Sequence, residues 1–270
     1  MISHYSCLPM QLPPEKNVYF LSDFHLGVPD AASSLQREKL IVQFLDSIKN
    51  DAHTIFLVGD MFDFWFEYKR VVPKGFVRLL GKLAELSDAG IQLHFFVGNH
   101  DMWMSDYFQK EMGIPVYFKP QVFKINGCSF YIGHGDGLGP GDHGYKMMKK
   151  VFRNPVCQWL FGVLPPVVGM GLAQYFSGKS RGETSHPEEK FLGEEKEWLL
   201  IYCKEVLQRE THHFFVFGHR HLPIDYRLST ESRYINLGEW MNFQTYAVFD
   251  GMNMVLKSYT GKDAKIVKKE

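Results

Sequence analysis

The sequence predicts an α/β fold with two packed sheets and helices outside them, and three observations indicate it. In the first part of the chain, apolar runs alternate with helical patterns in the order βαβαβ, which is typical of a mostly parallel sheet. The last part contains short strand patterns separated by turn signals such as Asp250-Gly251. Polar motifs follow five of the apolar runs, at the position where open α/β sheets bind ligands.

The first predicted elements belong to the parallel sheet. A strand at 18–21 precedes a helix at 35–50, where apolar side chains recur at helical spacing. A strand at 55–58 precedes a helix at 74–88, which ends before Gly90, and a strand at 91–97 follows. The apolar face of the first helix consists of Leu40, Ile41, Phe44, Leu45 and Ile48.

The later predicted strands form two groups. Those at 130–132 and 214–217 each precede a polar motif. Short strands at 223–228, 232–237, 245–249 and 255–259 follow one another with brief turns between them. We assign this C-terminal group to a second sheet that packs on the first.

Composition limits the classes of function. The 270 residues suit one large domain or a domain with an insertion. Acidic and basic residues balance at 30 each, so no overall field favours nucleic acid and we expect no nucleic-acid partner. Residues 1–16 lack the pattern of a signal peptide, and the four scattered cysteines indicate reduced thiols. Both observations predict a cytoplasmic protein.

An insertion is predicted at 137–197, between core segments 1–136 and 198–270. From Gly144 to Gly182 it contains no acidic residue but six basic ones, which flank an apolar stretch at 154–178. Pro165-Pro166 interrupts this stretch, and a membrane span here would place the polar motifs on opposite sides of a bilayer. We favour a helical cap that contacts an anionic membrane surface or a lipid. The alternative is a pair of ordinary core helices.

The polar motifs supply the ligands of a two-metal phosphoesterase site. Each offers oxygen or nitrogen donors, which suit Mn, Fe, Zn or Mg rather than a thiolate-bound structural zinc. The motifs are Asp23-Phe24-His25, Gly59-Asp60, Gly98-Asn99-His100-Asp101, Gly133-His134-Gly135-Asp136 and Gly218-His219-Arg220-His221.

The residue types match the chemistry of such a site. Asp60 is the candidate for a carboxylate that bridges two cations, and Asn99 supplies a neutral amide oxygen that limits the charge. Asp23 and His25 are two residues apart, so they reach one metal only where the strand alternation breaks. His219 and His221 can reach neighbouring metals, and His134 completes the second. Two metals about 3.5–4 Å apart can hold a hydroxide and clamp a phosphoryl oxygen.

These motifs resemble the calcineurin-like metallophosphoesterase superfamily over nearly the whole chain. Within it, the segments 23–27, 59–63, 134–138 and 142–145 resemble the UDP-2,3-diacylglucosamine hydrolase family of lipid A biosynthesis, and so does the basic, proline-split cap that ends at Ser180-Arg181. The resemblance implies a four-layer αββα sandwich with a helical cap insertion.

The resemblance also implies two divalent metal ions, with Mn2+ the expected metal. It places Asp23, His25, Asp60 and His221 on one ion. It places Asp60, Asn99, His134 and His219 on the other.

The implied reaction is hydrolysis of the pyrophosphate of UDP-2,3-diacylglucosamine to UMP and 2,3-diacylglucosamine 1-phosphate, by a dimetal-activated water that attacks the uridine-side phosphorus. The implied enzyme is cytoplasmic and peripheral on the anionic inner membrane, where its nucleotide-lipid substrate lies. The residues predicted to take part in catalysis are Asp60, Asn99 and His100. Those predicted to bind substrate are Asp142, Tyr145, Phe161, Lys179 and Arg181.

One position departs from the family pattern. The hydrolase family usually has arginine where this chain has His100, and histidine is what the wider superfamily uses to stabilise the transition state or protonate a leaving group. An alternative function is therefore hydrolysis of another nucleotide or phospholipid phosphodiester. A third hypothesis, a scaffold without catalytic activity, is disfavoured because every ligand position is filled.

Overall fold

The computed structural model describes residues 9–141, 143–172, 190–191, 193–261 and 266–269, with the backbone alone described for 143–145. Its centre is a pair of six-stranded sheets. One apolar cluster lies between the sheets, and two others lie between a sheet and its outer helices. The predicted α/β fold with αββα layers is confirmed.

The structure contains strands and helices in the following order. The strands are β1 (Asn17–Leu21), β2 (Ala52–Val58), β3 (Gln92–Phe96), β4 (Val116–Tyr117), β5 (Gln121–Ile125), β6 (Cys128–Ile132), β7 (Phe214–Phe217), β8 (Pro223–Arg227), β9 (Arg233–Leu237), β10 (Thr245–Phe249), β11 (Met254–Ser258) and β12 (Val267–Lys269). The helices are α1 (Ala31–Ile48), α2 (Val77–Asp88), α3 (Tyr107–Met112), α4 (His143–Phe152), α5 (Pro155–Val163), a helical segment at 166–172 (α6) and α7 (Trp198–Leu207).

The first sheet has the order β11-β10-β1-β2-β3-β4, and the second has the order β12-β8-β9-β7-β6-β5. β1, β2 and β3 are parallel, as predicted, and a short strand that was not predicted, β4, extends the parallel order. The assignment of all four C-terminal strands to the second sheet is wrong, because β10 pairs antiparallel with β1 and β11 pairs with β10. The physical reason is that β1 would otherwise present an unpaired edge, which β10 covers.

Alternation along β1 links the outer and central layers. Val18 and Phe20 belong to the cluster between the sheets, whereas Tyr19 and Leu21 belong to the cluster under the helices. Successive side chains of a strand point to opposite faces, so one strand contributes to both layers. A strand buried on both faces has little freedom to move, and the residues that follow it are held in place.

Helix α1 begins at Ala31, earlier than the predicted residue 35. The Asp30 side chain accepts hydrogen bonds from the backbone N–H groups of Ala32 and Ser33, at 2.9 Å each. Such an N-cap stabilises a helix by about 1 kcal/mol, enough to add a turn that has little apolar patterning.

The helices α4 and α5 contact aromatic side chains in the loops that follow β2 and β3. The indole N–H of Trp103 donates to the backbone carbonyl of Phe152, at 2.6 Å. The ring of Phe161 packs on Trp103 and Phe66, with centroids 4.5 and 4.8 Å apart. Across the described residues, no helix has both the length and the apolar character needed to cross a membrane.

Candidate metal centre

The five polar motifs meet at one edge of the two sheets. Three follow the neighbouring strands β1, β2 and β3, and two follow the neighbouring strands β6 and β7. Backbone hydrogen bonds join the loops. The N–H of His25 donates to the carbonyl of Asp60 (3.0 Å), and the N–H of Gly218 donates to the carbonyl of His134 (2.9 Å). The sheet packing therefore brings side chains from distant parts of the sequence together.

The backbone at this edge has an uncommon conformation. Several predicted ligands have positive φ angles, which cost roughly 1–3 kcal/mol at a residue with a side chain. The surrounding hydrogen bonds hold these residues in that conformation, which brings the side chains of Asp23 and His25 to one point. In a regular strand the two side chains would share a face but lie two residue rises apart. The residues are Asp23 (56°), His25 (45°), Asp60 (56°), His219 (65°) and His221 (55°).

The first group of donor atoms comes from Asp23, His25 and His221. The Nε2 atoms of the two histidines are 3.0 Å apart. Oδ1 of Asp23 is 3.2 Å from Nε2 of His221 and 3.6 Å from Nε2 of His25. Asp60 lies next to this group, with its Oδ2 3.8 Å from Nε2 of His25.

The second group comes from Asp60, Asn99, His134 and His219. Nε2 of His134 is 3.1 Å from Oδ2 of Asp60 and 3.3 Å from Oδ1 of Asn99. Donor atoms of Asp60, His134 and His219 all lie within 4.8 Å of one another. The structure thus brings all seven predicted ligands together, with Asp60 between the two groups.

The protonation of this cluster suits divalent cations. Burial alone would raise the pKa of Asp60, but His134 and His100 hold it well below its usual range. Burial would lower the pKa of His134, but the Asp60 carboxylate raises it to about 10. Burial lowers the pKa of His219 to about 4, and the charge of His134 acts in the same direction. The cluster therefore contains ionised carboxylates beside the neutral imidazole of His219, and the protonated His134 would release its proton to bind a cation. These donors fit divalent metals.

A hydrogen bond on the side of the ring that faces away from the cluster orients His134. Its Nδ1–H donates to the backbone carbonyl of Val58, at 2.8 Å, so that Nε2 points into the cluster. Such a bond to the far nitrogen is usual for metal-binding histidines. A side chain at Gly59 would collide with this imidazole ring, which accounts for glycine before Asp60.

Asp101 joins the second and third motifs. Its carboxylate is buried and accepts hydrogen bonds from the backbone N–H groups of Gly98 (2.7 Å) and Met61 (2.9 Å). Burial raises the pKa of Asp101 to about 7, and the neighbouring Asp60 charge adds to the effect. The position of Asp60 relative to Asn99 depends on this link, since the two residues lie on separate loops.

His100 lies at the rim of the cluster, with 19% of its side chain exposed. Its backbone N–H donates to Oδ1 of Asp60 (2.8 Å), and its Nδ1–H donates to the backbone carbonyl of Asp63 (3.0 Å). The second bond leaves Nε2 as the nitrogen that can exchange a proton with a bound molecule.

Sequence reasoning missed Arg37, which holds the first motif. This buried side chain of α1 donates to the backbone carbonyls of Phe24 (2.6 Å), His25 (2.6 Å) and Val28 (2.5 Å). The three bonds support the loop in which Asp23 and His25 have positive φ angles. An arginine within an amphipathic helix carries no motif, so nothing in the local pattern marks it.

We expect Arg37→Lys to weaken metal binding by about 10–100-fold and to lower the free energy of unfolding by about 2–4 kcal/mol. Lysine keeps the charge but cannot donate to three carbonyls from a planar fork. Metal titration and denaturant unfolding would measure both effects. The matched control is Arg78→Lys, at a half-exposed arginine of α2. Wild-type metal affinity in Arg37→Lys would contradict this role.

Glu239 and Trp240 also contribute to the site, although they were not predicted. The Glu239 carboxylate is buried and accepts backbone N–H groups of Asn242 (2.9 Å) and Phe243 (3.0 Å). The N–H of Trp240 donates to the carbonyl of Asp23, at 3.1 Å. The sequence did contain a signal for this pair, because it follows β9 just as the five motifs follow their strands.

The predicted substrate-binding residues are described only in part. Phe161, which lies on α5, packs on aromatic side chains of the core, and its ring centroid is 6.2 Å from that of Phe64. Asp142, Lys179 and Arg181 lie outside the described residues, and so does the side chain of Tyr145.

The chain is similar to known proteins along most of its length. A family model for calcineurin-like phosphoesterases matches residues 16–245. A UDP-2,3-diacylglucosamine hydrolase of Porphyromonas gingivalis is 41% identical over 255 residues, which cover 89% of this chain and 97% of that protein. Proteins of the same name from Aeromonas hydrophila and Histophilus somni are 28% and 25% identical, over 82% and 83% of this chain and 89% and 92% of their own.

Proposed function

Because the chain belongs to the calcineurin-like phosphoesterase family, we propose that it hydrolyses the pyrophosphate of UDP-2,3-diacylglucosamine to UMP and 2,3-diacylglucosamine 1-phosphate. The observation that carries this proposal is the 41% identity to a hydrolase of that name over nearly its whole length. The two adjoining groups of carboxylate and imidazole donors support it, because they suit the dimetal chemistry of phosphoester hydrolysis.

The protein side chains have distinct tasks in the proposed reaction. Bound divalent cations supply charge neutralisation at the phosphoryl group and lower the pKa of the attacking water. Asp60 holds the two ligand groups together, and Asn99 and His134 orient the second. His100 directs Nε2 to the rim, where it can give a proton to the departing phosphate or stabilise its charge.

We propose Mn2+ as the metal. The seven ligands are two carboxylates, one amide and four imidazoles, which can bind Mn2+ but also Fe2+ or Zn2+. The choice of Mn2+ therefore rests on the resemblance to the hydrolase family. Reconstitution of metal-stripped protein with Mn2+, Mg2+ or Zn2+, followed by activity assays at equal occupancy, tests this choice.

We also propose that the segment 137–197 is a cap that rests on the anionic inner membrane from the cytoplasmic side. One face of α5 is apolar and exposed, because Val156, Trp159, Leu160 and Val163 recur at helical spacing with 56–67% of each side chain accessible. The opposite face carries Phe161, which packs on the core. An apolar face next to the basic side chains of α4 is the pattern of an interfacial membrane helix.

We expect the double variant Trp159→Ser/Val163→Ser to bind vesicles that contain phosphatidylglycerol about tenfold more weakly, because the two side chains would no longer bury apolar surface. Co-sedimentation would measure the bound fraction. Met252→Ser, at a residue 81% exposed in another part of the protein, is the matched control. Equal binding by the double variant and the control would argue against α5 as the contact surface.

The proposed reaction is tested by incubating the Mn2+-loaded protein with UDP-2,3-diacylglucosamine and with bis(p-nitrophenyl) phosphate. We expect UMP and 2,3-diacylglucosamine 1-phosphate as products, with a much higher kcat/KM than for the generic diester. Hydrolysis of the diester while the lipid substrate stays intact would contradict the proposed substrate but would support phosphoesterase activity.

A second candidate function is hydrolysis of another nucleotide or phospholipid phosphodiester. His100 favours it, since the side chain has the position and the free Nε2 of the proton donor used by the wider superfamily. The same substrate comparison, extended to nucleotide and phospholipid diesters, separates the two functions.

A further inference from the structure

A cavity of about 820 Å3 opens beside the metal ligand candidate His134. One wall is formed by the end of β3 and the residues after β4, including Phe118 and Lys119. The other wall is formed by α4 and the residue that follows it, Arg153. Its volume is within the range of about 300–1,000 Å3 that is usual for small-molecule sites.

The charge of the cavity favours an anion. Among the described residues, its lining contains five basic side chains and one acidic side chain, Asp136, which already forms an ion pair with Lys149. The Nε atom of Arg153 is buried and has no hydrogen-bond partner among the described residues. This atom is not accessible from the cavity, so an anion there would interact with the positive charge of the Arg153 guanidinium rather than accept a hydrogen bond from Nε.

The position of Arg153 is determined by the core. The carbonyl of the preceding residue, Phe152, accepts hydrogen bonds from the Trp103 indole (2.6 Å) and from the Gln158 amide (3.2 Å). The backbone at the C-terminal end of α4, next to Arg153, is therefore held in place before a ligand arrives.

The facing wall supplies aromatic surface. Phe118 is 41% exposed and lines the cavity together with the half-buried Tyr117. Tyr117 is held by a hydrogen bond between its hydroxyl and Nδ1 of His94 (3.1 Å) and by stacking on Phe96. A planar nitrogen base is the ligand group that stacks on such side chains.

We propose that this cavity binds the nucleoside monophosphate half of the substrate, with the phosphate at the mouth beside His134, the positive charge of Arg153 attracting the anion and the base against Phe118. This inference rests on the proposed function, whose substrate contains such a nucleotide. Acyl chains suit the cavity less well, because they would leave the basic side chains without an anion.

The test measures binding of UMP and of ribose 5-phosphate to Mn2+-loaded protein by calorimetry. Phe118→Ala should weaken UMP binding about tenfold and change ribose 5-phosphate binding less than about twofold, because the smaller ligand has no base to stack. Arg153→Gln should weaken binding of both ligands about tenfold, because both lose the charged donor. Lys39→Gln, at an exposed residue of α1, is the control for loss of one positive charge and should leave both affinities unchanged.

Unchanged UMP affinity in both cavity variants would overturn the proposal. Weaker binding of 2,3-diacylglucosamine 1-phosphate together with unchanged UMP binding would also overturn it, because the cavity would then hold the lipid half. Metal content and thermal unfolding of each variant show whether it is folded. If Arg153→Gln does not fold, the comparison of UMP with ribose 5-phosphate in Phe118→Ala still tests the proposal. Intact UDP-2,3-diacylglucosamine in the activity assay, combined with the expected UMP results, would reject the lipid substrate and keep the nucleotide site.

Discussion

Asp60→Ala is expected to lower kcat/KM for UDP-2,3-diacylglucosamine by at least about a thousandfold, together with loss of bound metal. The reason is that Asp60 is shared: its Oδ2 lies 3.1 Å from Nε2 of His134 and 3.8 Å from Nε2 of His25. No other side chain of the described cluster approaches both ligand groups in this way. Metal analysis of the purified protein and steady-state kinetics with added Mn2+ would measure the two losses.

Two further variants separate charge from shape. Asp60→Asn keeps the volume and one oxygen but removes the negative charge, so we expect metal content close to that of Asp60→Ala if the charge binds the ions. Asp46→Ala removes an exposed carboxylate of α1 and should leave metal content and activity unchanged. Two bound ions per molecule in Asp60→Ala, with wild-type affinity, would show that Asp60 does not bridge the groups.

Most strands of the fold were predictable because they carry strong local patterns. The predicted bounds of the strand at 214–217 agree with β7, and those of the strand at 245–249 agree with β10. Sheet membership was not predictable in the same way. β10 lies beside β1 through pairing across more than two hundred residues, and no local pattern records that pairing. The shortest strand, β4, has too few residues for any periodicity.

The position of the candidate site was predictable for a different reason. Each polar motif stands directly after a buried strand, and parallel strands of one sheet end at the same edge. The residues that hold the ligands in place were harder to predict from the sequence. Arg37 acts through carbonyl groups that lie nine to thirteen positions earlier, so its role depends on how α1 packs. The apolar stretch of the insertion indicated helices but could not tell which face would be exposed.

His100→Ala is expected to lower kcat by about 10²–10⁴-fold while metal content stays within about twofold of wild type. The structure separates the two roles of this residue. Asp60 is held by the backbone N–H of His100, which alanine retains, whereas proton transfer needs the imidazole ring, which alanine lacks. His53→Ala, at the opposite end of β2 from the metal centre, is the matched control and should keep wild-type activity.

His100→Arg distinguishes proton transfer from charge neutralisation. The related hydrolase family usually has arginine here, and its guanidinium holds phosphate oxygens with a permanent charge but cannot give up a proton at neutral pH. If His100 acts as a proton donor, His100→Arg should be as slow as His100→Ala toward a generic diester with a poor leaving group. Restored or improved activity on that diester would show that the residue supplies positive charge, and the lipid pyrophosphate would then be favoured over other phosphodiesters. Loss of metal from His100→Ala would instead assign the ring to holding His25, whose ring centroid lies 4.9 Å away.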